Sequence, residues 1–74
     1  MMDDLKLKTL ASRALKEVSA RCKASPTGTV LRADIARALG LSFQDALRIL
    51  EYLRDRGDIA LGDTINDTYA RLNI

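Results

Sequence analysis

The side chains best equipped to meet another molecule crowd into one short run, Gly40-Leu41-Ser42-Phe43-Gln44-Asp45-Ala46-Leu47-Arg48. Gln44 carries an amide that donates and accepts side by side, and Arg48 carries a planar fork of donors that matches paired acceptors. Phe43 and Leu47 stand among them as apolar area, one helical turn apart if the run is helical. Groups for covalent or acid–base chemistry are scarce, because the chain has no histidine, no glycine-rich phosphate cradle and one cysteine. Cys22 falls on an apolar periodicity rather than beside a base, so it is expected to be a buried, inert thiol. A lone cysteine without histidine cannot complete a four-ligand zinc site. The expectation is therefore a protein that is not an enzyme and uses no cofactor and no metal.

The elements that must position that run follow from spacing. Asp3 or Asp4 can cap a first helix, over about 4–23, in which Leu7, Leu10, Ala11, Ala14, Leu15, Val18 and Cys22 recur at intervals of three and four, the mark of one buried face. Lys6, Arg13, Lys16 and Arg21 fall mostly elsewhere on that helix and read as a solvated face. Ala24-Ser25-Pro26-Thr27-Gly28 is a loop, since Pro26 cannot continue the helix. Thr29-Val30-Leu31 is a short β-prone run, expected as an edge strand over about 29–31. A helix over about 33–39 buries Ile35, Ala36 and Leu39, and Gly40 occupies the position where a left-handed residue ends a helix.

Ser42 is a good N-cap, with Asp45 at the third helical position as an acidic variant of the capping box. Ala46, Ile49, Leu50 and Leu53 form the apolar stripe of a helix over about 43–56, which Gly57 ends. Ile59-Ala60-Leu61 and Tyr69-Ala70-Arg71-Leu72 read as the two strands of a hairpin over about 58–73. The reversal is expected at Gly62-Asp63 or at Asn66-Asp67, and local pattern does not choose between them.

A chain of 74 residues is one domain, 1–74, with a thin core. Apolar residues at 47% and charged residues at 30% are the balance of a folded globular chain rather than a disordered one. The doubled Met1-Met2 is left out of the argument. The start MMDDLKLK lacks a signal pattern and no apolar run is long enough to span a bilayer, so the expected location is cytoplasmic, with no membrane partner.

The net charge of +2 hides an asymmetry: residues 1–31 carry +3, residues 32–56 carry +1 and residues 57–74 carry −2. A polyanion is attracted to the basic end and not to the acidic hairpin.

The order helix, short strand, helix, turn, helix, hairpin, with RADIARALGLS leading into a helix that ends LRDRGDIAL and a last strand TYARL, resembles the winged helix-turn-helix superfamily from about Leu5 to Leu72. The resemblance implies an α+β fold: three helices, a short strand and a C-terminal β-hairpin wing. It further implies a DNA-binding protein, a small transcriptional regulator acting as a homodimer on double-stranded DNA, with residues 42–56 in the major groove. Carried over by position, Ser42, Gln44 and Arg48 face the groove, Gln44 toward an adenine edge and Arg48 toward a guanine edge or a phosphate. Arg32 and Arg37 on the preceding helix hold phosphates. The plainer expectation for Arg48 is a surface ion pair with Asp45 or Glu51, three residues away on either side.

Three features pull against DNA. Phe43 and Leu47 put apolar area on the reading face unless neighbours bury them, and Phe43 is expected to tuck under the first helix. Asp45 puts a negative charge near phosphates, and Asp63 and Asp67 near the wing tip repel a backbone. The alternative is a winged helix used as a protein-protein interaction or assembly module through Phe43 and Leu47, with a charge-depleted centre and a polar rim.

Overall fold

The computed structural model describes residues 3–73. Met1-Met2 and Ile74, which belong to the expected domain 1–74, lie outside the described residues. The chain is a small α+β domain of three helices and one three-stranded antiparallel sheet.

Helix α1 (Asp4–Ala24) is capped by Asp3, whose carboxylate accepts the Lys6 N–H at 2.7 Å. Its apolar face, Leu10, Ala11, Ala14, Val18 and Cys22, is buried as the spacing requires. Strand β1 (Thr29–Leu31) leads without a loop into helix α2 (Arg32–Leu39), one residue longer at its start than expected. Helix α3 (Phe43–Asp55) follows after a short turn, then strands β2 (Ile59–Asp63) and β3 (Thr68–Leu72).

Gly40 adopts φ 67° and ψ 37°. With it in the left-handed region, Gly40 N–H reaches Arg37 O at 3.3 Å and Leu41 N–H reaches Ala36 O at 2.8 Å, the paired bonds of a Schellman cap. The end of α3 repeats the device at Gly57, whose φ is 85°. There Gly57 N–H meets Arg54 O at 2.9 Å and Asp58 N–H meets Leu53 O at 3.0 Å.

The sheet order is β1-β3-β2, so β3, last in the chain, lies in the middle. β1 is an edge strand, pairing Thr29 with Arg71, Val30 with Ala70 and Leu31 with Tyr69. The hairpin pairs Ile59 with Leu72 through Asp63 with Thr68, which places the reversal at residues 64–67. Of the two expected turn positions, Gly62-Asp63 is therefore inside β2 and Asn66-Asp67 belongs to the turn. Thr64 and Asp67 close it through Thr64 N–H to Asp67 O at 2.7 Å and Asp67 N–H to Thr64 Oγ1 at 2.8 Å. Within the strand, position 62 suits glycine because the ring of Tyr69, its cross-strand partner, occupies the space a Cβ would need.

The core is one cluster in which Val18, Ile35, Ile49, Leu50, Leu53 and Ile59 are the large fully buried side chains. α1 packs against α2, α3, β1 and β3, so the two layers share that cluster. Cys22 is part of it, with Sγ 3.7 Å from Ala70 O. Burial pushes its thiol above the ordinary value of 9.0, and a backbone hydrogen bond at Leu72 offsets only part of the effect. No helix among the described residues is long and apolar enough to cross a membrane.

Candidate nucleic-acid interface

Helix α3 starts at Ser42, whose Oγ accepts the Asp45 N–H at 3.1 Å. The reciprocal bond of a capping box, from Ser42 N–H to the Asp45 carboxylate, is not formed among the described residues, so Asp45 contributes its charge to the positive end of the helix rather than a second bond. Ala46, Ile49, Leu50 and Leu53 are buried, which fixes the rotation of the helix about its axis. At about 100° per residue, Gln44 and Arg48 then lie on the side directly away from the core. Both are exposed. Glu51 and Asp55 continue the same line, so its N-terminal half is cationic and its C-terminal half acidic.

Arg48 forms an ion pair with neither Asp45 nor Glu51, and none with any other acid among the described residues. Its charge is free in the solvent. Arg37 is also exposed but pairs with Asp34 at 3.3 Å, an exposed pair of the kind that competes weakly with another anion.

Arg32 is placed differently from the expectation. Its Nε lies 2.9 Å from Asp67 Oδ1, with 19% and 11% of the two side chains exposed. The Nε–H makes no hydrogen bond of good geometry there, so the contact is chiefly a Coulombic pair. The guanidinium also lies over the Phe43 ring, 5.0 Å from its centroid. Much of this cation is therefore committed inside the protein.

Asp67 lies in the hairpin turn, as expected, but its carboxylate is not the free charge expected there. Expected near the wing tip as a repulsive charge, it turns inward. Its Oδ2 accepts the Ala33 N–H at 3.1 Å and its Oδ1 accepts the Thr68 N–H at 2.7 Å. Helix α2 has Leu31 at its N-cap position, with no side-chain hydrogen bond. Asp67 supplies the missing acceptor from a position 34 residues further along the chain. Burial alone raises its carboxyl and is the largest single effect. The Thr68 and Ala33 N–H donors and the Arg32 guanidinium together outweigh it and hold the pKa below the ordinary 3.8. The one sequence signal was indirect: an apolar residue where α2 needs a cap implies an acceptor from elsewhere.

The two apolar residues part company. Phe43 is 53% exposed rather than tucked beneath α1, held at the surface under Arg32. Leu47 is half-buried and faces the hairpin, lining with Glu51, Leu61, Gly62, Asp63 and Thr68 a shallow cleft of about 260 Å³. Tyr52 packs against the core and carries Arg56 over its ring at 5.6 Å. Among the described residues no group of three or more His, Cys, Asp or Glu side chains is gathered as a metal site.

The structure thus places Gln44 and Arg48 on one exposed side of α3, with the exposed Ser42 engaged as its N-cap and Arg37 exposed on α2 but paired with Asp34. It withdraws Arg32 toward Asp67. Comparison with protein-family models and with curated proteins gives no match to this chain.

Proposed function

We propose that the protein is a DNA-binding domain of the winged helix-turn-helix kind, a small cytoplasmic regulator of transcription that sets the first two turns of α3 in the major groove. One observation carries the reading. Gln44 and Arg48 project directly away from the core at the N-terminal half of α3, and the Arg48 cation has no acid partner among the described residues. A guanidinium and an amide one turn apart suit a guanine and an adenine edge on neighbouring base pairs. The inward turn of Asp67 supports the reading, because it removes one of the two acids expected to repel a duplex at the wing and leaves Asp63. Dimerisation, which doubles a small contact set, belongs to the same proposal.

Fluorescence anisotropy of a labelled mixed-sequence duplex, titrated across a range of salt, tests it. Binding should weaken as salt rises, and Arg48→Ala should weaken it further by roughly 5- to 100-fold. If Arg48 meets a phosphate, the slope of log affinity against log salt falls by about 0.9 in the variant. Absence of binding at low salt, or an unchanged affinity for Arg48→Ala, rejects the proposal.

The exposure of Phe43 favours the second reading, a protein-interaction module. Since Leu47 is half-buried against β2, replacing it disturbs the hairpin as well as any partner. Phe43→Ser is the cleaner probe, and a partner that binds it as well as wild type removes this surface from consideration.

A further inference from the structure

On α1 the positions 6, 9, 13, 16, 20 and 23 follow one another at alternating intervals of three and four, and they hold Lys6, Thr9, Arg13, Lys16, Ala20 and Lys23. They fall within about 100° of the helix circumference and run for about 26 Å along its axis. All six are exposed. None of the four cations forms an ion pair among the described residues, whereas Arg21, off this line, is paired with Glu17 at 3.1 Å. The stripe contains no acid. A face that served only to keep the domain in solution gains nothing from excluding one sign of charge, and mixed charges would do so as well.

α1 packs directly on α3, each helix turning its buried face toward the other. The stripe and the Gln44–Arg48 line therefore point in opposite directions across a body 25 and 19 Å in its two shorter extents. One straight duplex lying on either face does not reach the other.

We infer that the outer face of α1 is a second, sequence-independent surface for the phosphate backbone of duplex DNA, so that one chain bridges two duplex segments. The inference rests on the proposed reading role of α3 for its first contact and on the α1 stripe alone for its second. Four unpaired cations in a line supply counterion release, the term that governs binding to any stretch of duplex. A lipid surface fits less well. No position of the stripe holds an aromatic or large aliphatic residue; its apolar neighbours are Leu5 in the first turn and the part-buried Leu15, which shares a shallow cleft with Lys16, Ala20 and Lys23, and an interfacial helix needs a broader apolar face to insert.

The test uses the whole protein with a bead-bound duplex and a second, labelled duplex in solution. Wild type, Arg48→Ala and Arg13→Gln/Lys16→Gln/Lys23→Gln are compared, with Lys16→Glu as a lighter perturbation of the same face and circular dichroism as the check of helix content. Wild type should hold the label on the beads at low salt and release it at high salt. The triple variant should retain at least tenfold less label while still binding a single duplex, and Lys16→Glu should fall between. Bridging that persists in the triple variant overturns the inference and assigns the second contact to a dimer. Single-duplex binding without any bridging by wild type overturns it and leaves the α3 reading intact. Loss of all duplex binding in the triple variant, with none lost in Arg48→Ala, makes α1 the single duplex surface, rejects α3 as the reader and overturns the bridging. Wild type that floats with phosphatidylserine vesicles yet retains no second duplex overturns it in favour of a membrane.

Discussion

Helices α2 and α3 are neighbours joined by one turn and end in the same Schellman cap, yet they begin in different ways. α3 is capped by the residue before it, Ser42, through a bond at 3.1 Å. α2 follows β1 directly, so the position before it is a strand residue, Leu31, that cannot cap. Its open N–H at Ala33 is met by Asp67 in the hairpin turn, which also faces Arg32 at 2.9 Å. The first device depends only on chain neighbours and survives any rearrangement that keeps the helix. The second exists only while the hairpin sits against α2, so it couples the position of the hairpin to the integrity of the helix that precedes α3.

Removing each device in turn separates the two. Asp67→Ala should have the largest effect, because it strips the acceptor from the Ala33 and Thr68 N–H groups and leaves the Arg32 cation without its partner at a largely covered site. A loss of about 2 kcal/mol is expected from hydrogen bonds to a charged group, seen as a lower urea midpoint. A loss below about 0.5 kcal/mol, the scale of an ordinary surface change, shows that the long-range cap contributes little.

The pH arm of the same comparison is smaller. The Asp67 pKa lies below its ordinary 3.8 in the folded chain. Its contribution is therefore complete above that value and disappears as pH falls through the folded value. Wild type should lose more stability than Asp67→Asn between about pH 5 and about pH 2, since the amide cannot titrate. Parallel decline of the two proteins over that range counts against the coupling.

Ser42→Ala should cost least, about 1 kcal/mol, the usual loss of a local cap. Its effect should also be confined to α3. Hydrogen exchange that speeds in the first turn of α3 and leaves β2 and β3 unchanged supports the contrast, and exchange that speeds in the hairpin too erases it.

The same division runs through what could be read in advance. The apolar spacing of α1 and α3, the cap at Ser42 and the stops at Gly40 and Gly57 are settled by residues within one helical turn of each other, and local sterics and hydrogen bonding act at that range. They determined three helices, a short strand and a hairpin, with boundaries within a residue or two of those observed. The outward direction of Gln44 and Arg48 followed as well, because the buried stripe of α3 fixes its rotation.

Three matters needed the assembled chain. The pairing of β1 with β3 rather than β2 joins residues about 40 apart in the chain, and edge position alone does not name a partner. The exposure of Phe43 depends on what lies above it, and that is the Arg32 guanidinium rather than α1. The role of Asp67 depends on a helix start 34 residues away. An isolated aspartate in a turn looks like a solvent charge until the orphan N–H groups of another element are brought against it. Chain neighbours determined the elements and the candidate reading face; which of its charges remain free for a ligand was decided by the tertiary structure, because ion pairs and caps between distant residues form only after the elements have packed.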